Sequence, residues 1–91
     1  ETGIIHLTKH LAKILVPRNI IVNAIAPGPF DSHMLGKAVN FDYSFIAETV
    51  PRKRIGSPED IAGLCIYFCS RAGSYTVGET VTCDGGLVKT L

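Results

Sequence analysis

The segment that most restricts the fold of this chain is a nearly unbroken apolar run at residues 20–26, closed by Pro27-Gly28. A run of that length is too short for a typical helix and predicts a strand buried on both faces. Such strands occur in parallel sheets covered by helices, where ligands lie beyond the carboxyl ends of the strands. Proline cannot donate to a strand ladder and glycine adopts conformations that other residues avoid, so we expect a turn there. The sequence therefore predicts a ligand edge from Gly28 onward.

A helix is predicted before this strand, from about Gly3 to Val16. Its apolar residues recur at helical spacing, while histidines and lysines share the opposite face. Pro17 ends the helix, because a residue that precedes proline is driven out of the helical region. The apolar residues are Ile4, Leu7, Leu11, Ile14 and Leu15, and the polar ones are His6, Lys9, His10 and Lys13.

A second helix is predicted to begin after Ser57, which is a good N-cap, with Pro58 in the first helical position. Asp60 lies three residues after the cap, where its carboxylate also favours the positive end of the helix dipole. The apolar face of this helix consists of Ile61, Leu64, Cys65, Phe68 and Cys69. We expect both cysteines to pack in the core, since cysteine behaves as a small buried hydrophobe.

A second strand is predicted near residues 79–83, closed by a turn at Asp84-Gly85-Gly86. The intervening residues 29–56 lack one clean period and predict one or two short helices in a mobile flap. The order α–β–α–β then describes a parallel, right-handed crossover. Because the chain supplies only two strands, one sheet edge stays open, and we expect the last third of a larger α/β domain. Asn23 interrupts the buried strand, so its amide is predicted to tie the strand to a neighbouring loop.

Length, charge and cysteine content exclude several classes of protein. The 91 residues make one domain at most, and a net charge of +1 gives no electrostatic reason to expect nucleic acid. No apolar run approaches the roughly 20 residues that span a bilayer, and the first residues do not resemble a signal peptide. Three cysteines without a framework spacing indicate reduced thiols, so cytoplasm is the default expectation.

Four blocks of sequence together resemble the short-chain dehydrogenase/reductase family. They are residues 4–9, 17–28, 54–62 and 78–86, and they occur in the order and at the spacing of that family. The resemblance implies the carboxy-terminal part of a Rossmann-type doubly wound parallel sheet. It also implies an oxidoreductase that binds NAD or NADP and transfers a hydride to or from a small-molecule carbonyl or alcohol. The family resemblance further implies a homo-oligomer whose contacts are the first helix and the last strand.

The same resemblance implies which residues contact the ligands. The loop after the first strand would lie against the nicotinamide, with the backbone near Phe30 on the carboxamide and the Ser32 hydroxyl near the amide or a phosphate. The implied cofactor-binding residues are Pro27, Gly28, Pro29, Phe30 and Ser32. The flap would be the substrate-binding loop, and its implied substrate contacts are Met34, Leu35 and Phe41.

The chain also departs from the family pattern. It contains neither the glycine-rich phosphate loop nor the Tyr-x-x-x-Lys motif, and Glu1 stands where that lysine would be. A carboxylate there would raise the pKa of the family tyrosine, which a lysine lowers. We therefore predict no catalytic residue within the chain and no activity of the chain alone. The alternative hypothesis is a non-catalytic interaction or oligomerisation module, and a metal-dependent or hydrolytic enzyme ranks third.

Two side-chain groups leave a choice open. His6 and His10 stand one helical turn apart, which is the spacing of a metal-binding pair. No nearby carboxylate or cysteine in the sequence completes a site. A solvated helix face is therefore favoured, and no metal is expected. The basic residues 52–54 suit an anion or cofactor-phosphate contact, whereas a solvated loop is the commoner role for such a run.

Overall fold

The computed structural model describes residues 2–31, 33–40 and 42–89. Its elements follow the predicted α–β–α–β order, with two short helices inside the flap. They are α1 (Thr2–Leu15), β1 (Ala24–Pro27), α2 (His33–Ala38), α3 (Ser44–Thr49), α4 (Pro58–Cys69) and β2 (Thr80–Cys83), with 3₁₀ turns at Val16–Arg18 and Arg71–Gly73. None of the helices described is long and apolar enough to cross a membrane.

The chain divides into two compact units. Unit 1 consists of Glu1–Ala26 and Gly63–Val81, and unit 2 consists of Pro27–Ala62 and Thr82–Leu91. The divisions in the sequence fall inside α4, β1 and β2, so each of these elements contributes residues to both units.

The strands β1 and β2 form a two-stranded sheet within the described part of the chain. Ala24 N–H donates to Glu79 O at 2.9 Å and Gly28 N–H donates to Cys83 O at 3.0 Å. Both partners advance by the same number of residues in the same direction, so the strands are parallel. The predicted parallel pairing of the two strands is therefore confirmed.

The prediction of a strand over residues 20–26 buried on both faces is wrong in extent and burial. β1 begins only at Ala24, its residues are half-buried or exposed, and Ile20 and Ile21 are exposed. Regular pairing is interrupted at Asn23, because its side chain replaces a backbone partner. Asn23 Nδ2 donates to Thr76 O at 2.9 Å, and its Oδ1 accepts from Glu79 N–H at 2.9 Å. The predicted tie between strand and loop is confirmed.

The most buried residues described in helix α1 are small, whereas most of its large apolar residues are exposed. Thr8 and Ala12 are buried, and the Thr8 hydroxyl donates to Ile4 O at 2.7 Å. A Cβ at Gly78 would lie 3.3 Å from Ala12 Cβ, so the chain passes close to this face of the helix. The larger residues Ile4, Leu7, Leu11 and Ile14 form an exposed stripe beside it. We call these four residues the α1 stripe.

Helix α4 begins where the sequence predicts, but part of its predicted apolar face is exposed. Ser57 N–H donates to Asp60 Oδ2 at 2.8 Å, which is one half of a capping box. The expected core packing of Cys65 and Cys69 is wrong, since both residues are exposed. The residues opposite them leave a cleft instead of a packed layer, so the thiols remain open to solvent.

Candidate active-site loop

The turn after β1 is held by a close approach between two backbones. A Cβ on Gly28 would lie 2.5 Å from Asp84 Cβ and 2.9 Å from Asp84 Cα, which leaves room for hydrogen alone. The positive φ angles among the described glycines occur at Gly78, Gly85 and Gly86, so Gly28 is not required for backbone freedom. The expectation that Gly28 supplies an unusual conformation is wrong, and the physical reason for glycine is contact with Asp84.

The loop after β1 is joined to the far end of the flap by a short parallel bridge. Phe30 pairs with Gly56, Asp31 N–H donates to Gly56 O at 2.9 Å, and Gly56 N–H donates to Pro29 O at 2.8 Å. The Phe30 ring covers Gly56 so closely that any Cβ there would overlap the ring. The two ends of the flap are therefore fixed to each other in unit 2.

A second contact ties the loop to the middle of the flap. The Tyr43 hydroxyl donates to Asp31 Oδ1 at 2.9 Å, and desolvation together with this bond to Asp31 raises the pKa of Tyr43. Asp42 Oδ1 accepts from the Ser44 hydroxyl at 2.7 Å and from Ser44 N–H at 3.1 Å at the start of α3. These bonds lower the pKa of Asp42. Two carboxylates thus fix the position at which α3 begins.

A cavity of about 190 Å³ opens beside this loop within unit 2. Arg54 and Asp60 both line it and form a forked ion pair, with Nη1 2.9 Å from Asp60 Oδ2 and Nη2 3.3 Å from Asp60 Oδ1. The Arg54 guanidinium, followed by the Ser57 N–H, holds the pKa of Asp60 well below its usual range. The lining residues are Pro29, Phe30, Arg52, Arg54, Gly56, Asp60, Cys83, Asp84 and Gly85.

The basic run 52–54 is largely paired with carboxylates. Lys53 Nζ lies 3.6 Å from Glu48 Oε2, and Arg54 is bound to Asp60 as described. Arg52 faces the cavity and contributes its backbone N–H to Gly85 O at 3.1 Å. The sequence indicates this basic run but not the cavity. The one signal for the cavity is the parallel pairing of β1 with β2, because it brings the carboxyl ends of the two strands together.

The segment after β2 is the turn that the sequence predicts. Asp84 Oδ1 accepts from Gly86 N–H at 2.9 Å, and Oδ2 accepts from Val88 N–H at 3.0 Å. Gly85 has φ +67°, and a Cβ there would lie 2.6 Å from Cγ1 of Val50, which is the most deeply buried side chain among the described residues. Both carboxylate oxygens of Asp84 therefore hold the turn itself.

The structure describes most of the predicted site residues and brings four of them together. Pro27, Gly28, Pro29 and Phe30 follow one another from the end of β1 into the loop, and Met34 and Leu35 lie on α2. Ser32 and Phe41 lie outside the described residues. Within the described ranges no group of three or more metal-binding side chains occurs.

Comparisons with known proteins agree over almost the whole chain. A family model described as enoyl-(acyl carrier protein) reductase matches residues 2–88. A 3-oxoacyl-[acyl-carrier-protein] reductase from Aquifex aeolicus is 40% identical over 90 residues, which cover 96% of this chain and 35% of that protein. The human dehydrogenase/reductase SDR family member 4 is 44% identical over 89 residues, which cover 94% of this chain and 32% of that protein.

Solved structures share the fold. YwfH, an NADPH-dependent reductase involved in bacilysin biosynthesis, superposes with a TM-score of 0.87 at 30% identity, over 99% of this chain and 38% of that one. A putative 2-deoxy-D-gluconate 3-dehydrogenase from Agrobacterium tumefaciens with bound NADP gives 0.84 at 36% identity, over 97% and 37% of the two chains. The chain thus spans about a third of the length of the curated relatives it matches.

Proposed function

Because this chain belongs to the short-chain dehydrogenase/reductase family, we propose that it supplies the nicotinamide-side loop and the substrate flap of an NAD- or NADP-dependent oxidoreductase. The complete enzyme would transfer a hydride between the cofactor and a carbonyl or alcohol. The observation that carries the proposal is the parallel bridge between Phe30 and Gly56. It presents the loop after β1 at the carboxyl end of the sheet, which is where open α/β sheets bind ligands.

The hydrogen bonds of the loop favour Phe30 as its contact with a carboxamide. Pro27 and Pro29 have no N–H, Gly28 N–H is used by Cys83 O, and Asp31 N–H is used by Gly56 O. In a parallel bridge the residue between two such bonds directs its own N–H and C=O away from the partner. Phe30 therefore presents a backbone donor and acceptor that suit the oxygen and the NH₂ of a primary amide.

The flap is the proposed substrate-binding segment. It carries α2 and α3 between two ends that the bridge holds together, so its helices can vary in position while its base stays fixed. Leu35 on α2 is half-buried, and Phe45 on α3 is 81% exposed. Met34, Leu35 and Phe41 remain the proposed substrate contacts. Their apolar side chains favour a partly hydrophobic carbonyl compound.

The experiment uses a protein that contains this chain and reaches the length of its relatives, with the phosphate loop and Tyr-x-x-x-Lys motif present. We expect it to oxidise NADPH or NADH when carbonyl compounds are supplied. Gly56→Val displaces the Phe30 ring and should raise the KM for the nucleotide, because the loop loses its support. Gly63→Ala is the matched control, since a Cβ at Gly63 meets nothing within 4 Å. A protein that binds neither nucleotide would refute the proposal.

A second candidate function is a non-catalytic module that associates with copies of itself or with a full-length relative. The α1 stripe supports it, because four large apolar side chains in one row are 37% to 59% exposed. Leu7→Glu should shift the chain towards monomer in light scattering, while Lys13→Glu on the opposite face should not. A wild-type chain that is a stable monomer at its highest soluble concentration argues against this function.

A further inference from the structure

Two thiols of unit 1 stand together on an exposed face of α4. Cys65 and Cys69 are four residues apart on a continuous helix, both are free and exposed, and both line the same cleft. The other lining residues of the cleft are Ile21, Asn23, Ile25 and Phe68. We propose that Cys65 and Cys69 form a chelating dithiol that binds one soft, two-coordinate d¹⁰ cation of the Cu(I) class.

The helix sets a separation that suits linear coordination. Side chains at positions i and i+4 have Cβ atoms about 5–6 Å apart on one face. A metal–sulfur bond is about 2.3 Å long, so a linear S–metal–S unit spans roughly 4.6 Å. Rotation about the Cα–Cβ bonds brings two sulfur atoms to that distance without any change in the helix backbone. A disulfide would instead need Cβ atoms about 3.8 Å apart, which the helix does not offer.

The surroundings select the coordination number. No third histidine, cysteine, aspartate or glutamate joins the two thiols among residues 2–31, 33–40 and 42–89. The Asn23 amide in the cleft is occupied at both ends by Thr76 and Glu79. Four-coordinate and hard cations therefore lack ligands here, whereas thiolates bind Cu(I) strongly. The apolar side chains of Ile21, Ile25 and Phe68 offer no competing donor.

Binding is an exchange of protons for metal without electron transfer. Two S–H bonds break, two metal–sulfur bonds form, and both protons pass to solvent. Affinity should therefore rise with pH, because the metal competes with protons for the thiolates.

The test is an anaerobic titration of the 91-residue chain with Cu(I) against a chromophoric Cu(I) chelator. We expect one equivalent to bind, and Cys65→Ser or Cys69→Ser to weaken binding at least tenfold. Cys83→Ser is the matched control, because Cys83 belongs to unit 2, and it should bind like the wild type. Unchanged binding by either single variant, or its loss in Cys83→Ser, would overturn the proposal.

A second measurement needs no variant and so does not depend on how the variants fold. One equivalent of Cu(I) should protect Cys65 and Cys69 of the wild-type chain from alkylation, while Cys83 is modified, as read by peptide mass mapping. Native mass spectrometry should show one copper per single chain. Protection of Cys83 instead, or copper held only between two chains, would contradict an intrahelical dithiol site.

Discussion

Asn23→Ala should destabilise the chain by about 2 kcal/mol. The side chain makes two hydrogen bonds of 2.9 Å, one to Thr76 O and one from Glu79 N–H. A hydrogen bond contributes about 0.5–1.5 kcal/mol net, so removing both costs about 1–3 kcal/mol. Because Glu79 is exposed, water replaces part of the lost bonding, which places the cost near the middle of that range.

The assay is urea denaturation followed by circular dichroism at the helix band, since the chain has no tryptophan. The midpoint should fall while the dependence on urea is unchanged, because the variant exposes the same surface on unfolding. In a domain of this size 1 kcal/mol corresponds to about 4–8 °C in Tm, so thermal melts should agree. A loss below about 0.5 kcal/mol, which is typical of a neutral surface change, would refute the role given to Asn23.

Asn23→Asp separates the two bonds, since it keeps the acceptor and removes the donor. At pH values above the pKa of the new carboxyl, the carboxylate faces Thr76 O. Both groups are then acceptors, so the variant should be less stable than wild type. Once protonated, the carboxyl can donate to Thr76 O, so folding raises its pKa. The stability gained is therefore present at low pH and is lost as pH rises through the folded-state pKa. A variant whose deficit from wild type is independent of pH would contradict this assignment.

Three further changes test other parts of the structure. Gly85→Ala should destabilise unit 2, because φ is +67° and the new Cβ would lie 2.6 Å from Val50 Cγ1, and urea midpoints should show it. Gly63→Ala should stabilise the chain by about 0.8–1.0 kcal/mol through helix propensity, and an unchanged midpoint would contradict that. The hydrogen bond from Arg54 is the largest cause of the lowered pKa of Asp60. The folded state is therefore stabilised at pH values above the ordinary pKa of 3.8, and this stabilisation is lost as the pH falls below that value. Asp60→Asn should flatten that acid limb in pH-dependent melts, and a limb as steep as in wild type would rule out this origin.

The order of the elements could be predicted from the sequence because its signals are local. Ser57 and Pro58 mark the start of α4, and Pro17 marks the end of α1 within two residues. The bounds of β1 could not be predicted in this way, because they depend on Asn23 and its partners 53 and 56 positions further along. The sequence shows that an amide interrupts the apolar run, but only the crossover brings Thr76 and Glu79 within its reach.

The candidate site was predictable to the same degree. The loop after β1 follows from the Pro27-Gly28 signal, whereas its bridge to Gly56 joins residues 26 positions apart and left no periodic trace. Burial was the least predictable property. Cys65 and Cys69 are predicted to be core residues from their residue type, yet both are exposed. Residue type indicates only a tendency to be buried, and burial also requires a partner surface.

The two units differ in how many of their large apolar side chains remain exposed. All the exposed large apolar residues described belong to unit 1, except Phe45 and Val88. Unit 2 instead contains matched pairs, such as Phe30 over Gly56 and Arg54 with Asp60. Substitutions in unit 2 should therefore act through contacts within the chain. The effect of substitutions on the α1 stripe should depend on what covers it, because apolar surface stabilises a protein only when it is removed from water.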